Sequence, residues 1–200
     1  MTIKFLLPLL AATLMCSGSL LVEARQPKPK VTPAKATVTQ PVQPQWKVFT
    51  GPDGRFSVLM PGIPKRDTQS QKTYMGEINL ELFVVQPPKQ EVVYVVAYND
   101  FPYSYGQMAN PQTVLNNARD IALKTTKSNL ISQRDIRSTN GHLGKEIEYV
   151  NSGGKVTKTR MYFAQGRLYQ VMAITSRKQR RSLAKTINGY LNSFNVVLKA

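Results

Sequence analysis

Lys145-Glu146-Ile147-Glu148-Tyr149-Val150, the turn Ser152-Gly153-Gly154, Val156 to Ala164, the turn Gln165-Gly166, and Leu168 to Thr175 decide the fold class of this chain. The runs are short and rich in β-branched and aromatic residues, and each break is a glycine-containing turn of the kind that reverses a strand. Strands joined this tightly pair antiparallel. Leu130 to Ser138, closed by Asn140-Gly141, adds a strand ahead of them, so the whole stretch reads as an antiparallel meander.

Toward the N-terminus, Trp46-Lys47-Val48-Phe49 reaches the turn Gly51-Pro52-Asp53-Gly54 and continues as Arg55-Phe56-Ser57-Val58-Leu59-Met60, stopping at Pro61-Gly62. That is a hairpin signal. Further strands are expected at Lys65 to Thr73, Ile78 to Val85 and Glu91 to Tyr98. Ile78, Leu80, Leu82 and Val84 share one face and Asn79, Glu81 and Phe83 the other, the pattern of a sheet covered mainly on one side. Val92 to Ala97 is apolar on both faces and reads as a central strand.

Two helices interrupt the strands. Asn110-Pro111 opens the first, with Asn as cap and Pro where its missing N–H costs nothing, and Val114, Leu115, Ala118, Ile121 and Ala122 form its apolar stripe. The second is expected from about Lys178 to Ser193, with Leu183, Ala184, Ile187, Tyr190, Leu191 and Phe194 on one face. The class is therefore α+β: an antiparallel β-sheet with packed helices.

Outside this pattern lie two segments of different character. Residues 1–24 have a cationic start at Lys4, an apolar run from Phe5 to Val22 and the small-x-small site Val22-Glu23-Ala24, which together read as a secretory signal peptide. Pro8 and Ser17-Gly18-Ser19 break the run short of the ~20 apolar residues of a spanning helix, so no integral membrane span is expected after cleavage. Residues 25–45 are rich in Pro, Lys, Thr, Val and Gln without periodicity and read as a basic flexible linker. The globular domain is expected over residues 46–200, in the periplasm, thylakoid lumen or extracellular space.

Cys16 is the one cysteine and leaves with the signal, which excludes a disulfide scaffold. The net charge of the 200-residue chain is +16, and cleavage removes one cation and one anion, so the excess survives. Such a field concentrates anionic partners. Anionic lipid, acidic protein and polyanionic wall polymer all fit it, whereas export disfavours nucleic acid.

Arg55-Phe56-Ser57-Val58-Leu59-Met60-Pro61-Gly62-Ile63-Pro64 following Trp46, Gly166-Arg167-Leu168-Tyr169-Gln170-Val171, and the closing Tyr190-Leu191-Asn192-Ser193-Phe194 resemble segments of small exported cyanobacterial proteins. Their shared domain is similar to the PsbP-like, or Mog1/PsbP, α/β/α sandwich. The resemblance covers most of Trp46 to Val197. It implies a nonenzymatic binding or assembly domain on the lumenal or periplasmic side, since the best-known member of that fold family is an extrinsic lumenal subunit of photosystem II. The resembling motifs are structural and carry over no metal- or photosystem-contact residue.

Candidate sites are few. Arg177, Lys178, Arg180, Arg181 and Lys185 crowd the expected start of the last helix, where cations stand beside free backbone N–H donors in the composition of an anion-binding site. The competing reading is a solvated basic helix end. Glu146 and Glu148 share one strand face about 7 Å apart, the spacing of an acid/base pair, although cross-strand pairing with Lys158 and Arg160 explains them better. His142, the one histidine, reads as an exposed turn residue. Tyr94, Tyr98, Phe101, Tyr103 and Tyr105 form an aromatic cluster that suits core and loop anchoring ahead of a partner surface. The turn glycines build no phosphate loop, and no cofactor, metal set or catalytic residue is expected.

The functional expectation is an exported binding or assembly domain for an anionic protein or surface, with a photosystem or membrane-associated complex among the candidates. The alternatives are an enzyme acting on an anionic extracytoplasmic polymer through Glu146 and Glu148, and a wall or membrane-surface structural protein.

Overall fold

The computed structural model describes residues 44–73, 76–102, 106 and 108–198, so the segment read as signal and nearly all of the one read as linker fall outside the described residues, as do Tyr103 and Tyr105. Among the described residues the chain runs β1 (Lys47–Thr50), β2 (Phe56–Met60), β3 (Lys65–Thr73), β4 (Gly76–Val85), β5 (Val92–Asp100), α1 (Pro111–Thr125), β6 (Ser128–Arg137), β7 (Leu143–Asn151), β8 (Lys155–Ala164), β9 (Arg167–Ser176), α2 (Ala184–Asn192) and β10 (Asn195–Val196). The class is α+β, as read from the sequence.

Turn chemistry sets the antiparallel order. Between β8 and β9, Gln165 and Gly166 both take left-handed angles, φ 47° and 71°, as a two-residue turn matched to strand twist requires. The meander β6-β7-β8-β9 docks against a second one, β3-β4-β5, through β5 and β9, giving the order β3-β4-β5-β9-β8-β7-β6. All six neighbouring pairs are antiparallel. Because β5 and β6 lie far apart in that order, α1 is the crossover between the two meanders.

The Asn110 side-chain oxygen caps α1, accepting from the backbone N–H of Gln112 at 2.9 Å and of Thr113 at 3.3 Å. The helix buries Val114, Leu115 and Ala118 against Ile147, Tyr149, Met161 and Phe163. On the opposite face, β2 contributes Phe56, Val58 and Met60, and the last helix contributes Ile187, Tyr190 and Leu191, over Tyr94, Val96, Tyr169 and Val171.

The sheet is thus covered on both sides, which corrects the one-sided reading of β4. Phe83, placed with the polar face, is 2% exposed and packs on Phe49 and Phe56, while Leu80 and Leu82 are buried on the other side with Ala97. The small sheet β1-β2-β10 supplies the missing cover. Its third strand, unexpected from the sequence, pairs Asn195 and Val196 with Ser57 and Phe56 and returns the C-terminus to the hairpin.

Arg167 ties the β1–β2 turn to the main sheet. Its guanidinium donates to Asp53 at 2.6 Å and to both Asp100 oxygens at 2.6 and 2.7 Å, and lies 4.0 Å over the Tyr98 ring. Burial by itself would raise the Asp53 pKa, but the hydrogen bonds from Arg167 and the Arg55 backbone bring it below the ordinary value.

Candidate functional site

The basic cluster proposed from the sequence lies between β9 and α2. Ser176 ends the strand, and Arg177 to Leu183 then form consecutive hydrogen-bonded turns, with the Arg180 N–H on the Ser176 carbonyl at 3.1 Å and the Leu183 N–H on the Gln179 carbonyl at 2.9 Å. The Ser182 hydroxyl donates back to the Gln179 carbonyl at 3.0 Å. α2 begins only at Ala184, after Leu183. Arg177, Lys178, Arg180 and Arg181 therefore precede the helix instead of crowding its first turn, and Lys185 alone sits where the positive end of the macrodipole acts.

The segment divides by contact. Arg180 reaches across to β7 and forks onto Glu148, Nε donating to Oε1 at 2.7 Å and Nη2 to Oε2 at 2.6 Å. This carboxylate raises the Arg180 pKa further. Arg177, Lys178, Arg181 and Lys185 are exposed and make no ion pair among the described residues.

Arg180 and Arg181 border a cavity of about 350 Å³ between α2 and the sheet. Its apolar wall comes from Val156, Ala173, Ala184 and Ile187. Lys158 and Asn188 complete the rim, the ammonium donating to the Asn188 side-chain oxygen at 2.8 Å. Three cations and one carboxylate, Glu148, thus line this opening, with Lys158 also 3.7 Å from Glu146. Thr175 also lines it; the residue is 2% exposed and its hydroxyl has no hydrogen-bond partner among the described residues.

The other sequence candidates resolve differently. Glu146 and Glu148 do face the basic strand, in register with Arg160 and Lys158. Glu146, however, is buried and not solvent-facing: Arg160 donates to it at 2.7 Å, Arg134 at 3.0 Å, and the Lys158 ammonium stands 3.7 Å away. Burial would raise its pKa; the two arginine hydrogen bonds and the lysine charge outweigh that and lower it. A carboxyl held ionised this firmly is a poor proton donor, and Glu148 is engaged by Arg180. His142 is half-buried where the sequence suggested an exposed turn residue, its Nε2 enclosed without a partner among the described residues. Tyr94 and Tyr98 belong to the core, and Phe101 packs edge-on against Phe163 at 5.8 Å, so the aromatic run is divided between the two faces.

Lys158, Asn188 and Thr175 are the cavity residues that sequence reasoning missed as a set. Strand alternation puts Ala173 and Thr175 on one face of β9, a signal the sequence reading did not use, and nothing local says that this face meets a helix that arrives later in the chain.

No family model matches the sequence, and no curated protein matches it. Among solved structures, cyanobacterial PsbP (CyanoP) from Synechocystis sp. PCC 6803 is similar in fold, with a TM-score of 0.54 at 10% identity over 82% of this chain and 98% of that one. A Pseudomonas aeruginosa protein of unknown function matches at a TM-score of 0.45 and 12% identity, over 78% of this chain and 98% of its own. The fold is PsbP-like.

Proposed function

We propose that this protein is a nonenzymatic, exported binding or assembly domain that recognises an anionic protein or surface through Arg177, Lys178, Arg180, Arg181 and Lys185. The observation that carries the reading is the unbalanced charge on the cavity lining, where Lys158, Arg180 and Arg181 stand with Glu148 and only Lys158 has a second carboxylate, Glu146, nearby, beside further exposed cations that make no ion pair among the described residues in a chain of net charge +16. Such a patch draws anionic partners and orients their approach. The signal reading of residues 1–24 supports a lumenal, periplasmic or extracellular site of action. The PsbP-like fold makes a photosystem complex a partner worth testing first. The enzyme alternative is not favoured, because both of its carboxylates are occupied by arginines.

Affinity capture in the native compartment tests the reading, with intact mass checking that the exported chain begins at Arg25. Capture should fall in an Arg177→Glu/Lys178→Glu variant and as salt brings the screening length toward ~8 Å and below. Capture that ignores both would reduce the cluster to a solubility feature.

A further inference from the structure

We propose that the cavity beneath α2 binds an aliphatic carboxylate, its apolar stem against Val156, Ala173 and Ile187 and its charged end drawn to Arg181, Lys158 and the Thr175 hydroxyl. This deepens the anionic-partner reading by naming the group that the site takes.

Size comes first. A volume of about 350 Å³ is at the small end of the ~300–1,000 Å³ of ligand sites, enough for one side chain or a short acyl chain. The walls come next: Val156 and Ala173 on the sheet and Ile187 on α2 are buried apolar residues, so an occupant with an apolar body gains by leaving water. A free inorganic anion would find its hydration replaced there by hydrocarbon.

Thr175 is the independent observation. Its hydroxyl is enclosed and has no partner among the described residues, a state that costs stability and calls for an explanation in a native fold. Packing does not supply one, because valine has the same shape. A rotation about χ1 exchanges hydroxyl and methyl between staggered positions, so the O–H can turn to a ligand acceptor without displacing its neighbours.

Charge selects the other end of the ligand. Arg180 is occupied by Glu148, and Lys158 donates to Asn188 at 2.8 Å and stands at a longer 3.7 Å from Glu146, a carboxylate already bonded by Arg134 and Arg160, while Arg181 has no ion pair among the described residues. Two cations and a hydroxyl donor around an apolar pocket match a carboxylate on a hydrocarbon stem. That chemistry has two sources, a free short-chain acid or the C-terminal apolar residue of a polypeptide.

The test is titration of the protein followed by amide NMR, with hexanoate, hexanamide, inorganic phosphate, and a short leucine-ending peptide with a free or amidated terminus as probes. Hexanoate should give saturable shifts confined to the cavity, at Ala173, Thr175 and Ile187 among others, while hexanamide and phosphate should not. Thr175→Val should weaken hexanoate by roughly tenfold while leaving the melting temperature unchanged or higher, since it removes a buried unsatisfied group. Arg181→Gln, an exposed position, should also weaken it. Tighter binding of the free-terminus peptide assigns the carboxylate to a chain end, and tighter binding of hexanoate assigns it to a free acid; both support the site. Equal binding of hexanamide, phosphate displacing hexanoate at the same residues, no saturable shift, or unchanged affinity in Thr175→Val would each overturn it. The two readings fail separately. No hexanoate site beside salt-sensitive capture overturns only this inference, and charge-indifferent capture beside saturable hexanoate binding overturns only the surface reading.

Discussion

Arg180→Glu distinguishes pairing from crowding by the sign of its effect on stability. If Arg180 were one of several cations pressed on a helix start, reversing its charge would relieve repulsion and raise the melting temperature. The structure gives the opposite sign, because Arg180 lies before α2 and holds Glu148 through two short hydrogen bonds. The Arg180 side chain is 44% exposed and Glu148 only 13%, so water screens one partner and little of the other. The pair therefore ranks above the ~0.2–1 kcal/mol of an exposed ion pair and below the ~3–5 kcal/mol for breaking a buried one. Removing the bonds should cost about 1–2 kcal/mol, and facing the carboxylate with a second one should bring the loss to about 2 kcal/mol after the new side chain turns to solvent. At roughly 2–4 °C per kcal/mol for a domain of this size, the melting temperature should drop by about 4–8 °C, with Arg180→Ala falling part of the way. Arg181→Glu, exposed and without an ion pair among the described residues, should stay within about 0.5 kcal/mol of the parent. Thermal unfolding by circular dichroism measures all three. A rise in Arg180→Glu, or equal shifts for Arg180→Glu and Arg181→Glu, would refute the reasoning.

Other expectations follow from the same contacts. Arg167→Met leaves Asp53 and Asp100 without their shared cation and should cost about 2–3 kcal/mol in urea unfolding, less than a fully buried pair because both aspartates reach solvent; a loss below about 0.5 kcal/mol would count against the clamp. Asn110→Ala removes two cap bonds from α1 and should cost about 1 kcal/mol, with Asn110→Asp close to neutral by the same measurement. Glu146 and Asp53 have folded-state pKa values below their ordinary 4.5 and 3.8, so the stability they contribute is complete above those values and is lost as pH falls through the lowered ones. Urea midpoints should be level from about pH 7 to 5 and decline below about pH 4, and Glu146→Gln should show a shallower decline; an identical pH profile would remove Glu146 as a contributor.

The sequence by itself determined whatever rests on contacts between near neighbours. The Gly154 and Gln165-Gly166 turns force adjacent strands to pair antiparallel, and Asn110-Pro111 starts α1 at the residue expected, because turn angles and caps depend on a few consecutive side chains. The cross-strand pairing of Glu146 with Arg160 was legible for the same reason, since a short turn sets the register. Tertiary structure decided what depends on a distant part of the chain. The apolar stripe of the last helix was visible, but its start was not: the turns from Arg177 to Leu183 satisfy their backbone groups locally, and the anchor of Arg180 is 32 residues away. Phe83 became core because β2 arrives over its face, and β10 exists because the C-terminus returns to the hairpin. The cavity was the least legible feature, for its walls come from strands and a helix that share no local pattern. Burial of Thr175, and the surplus of cations beside it, exist only once α2 has packed against the sheet.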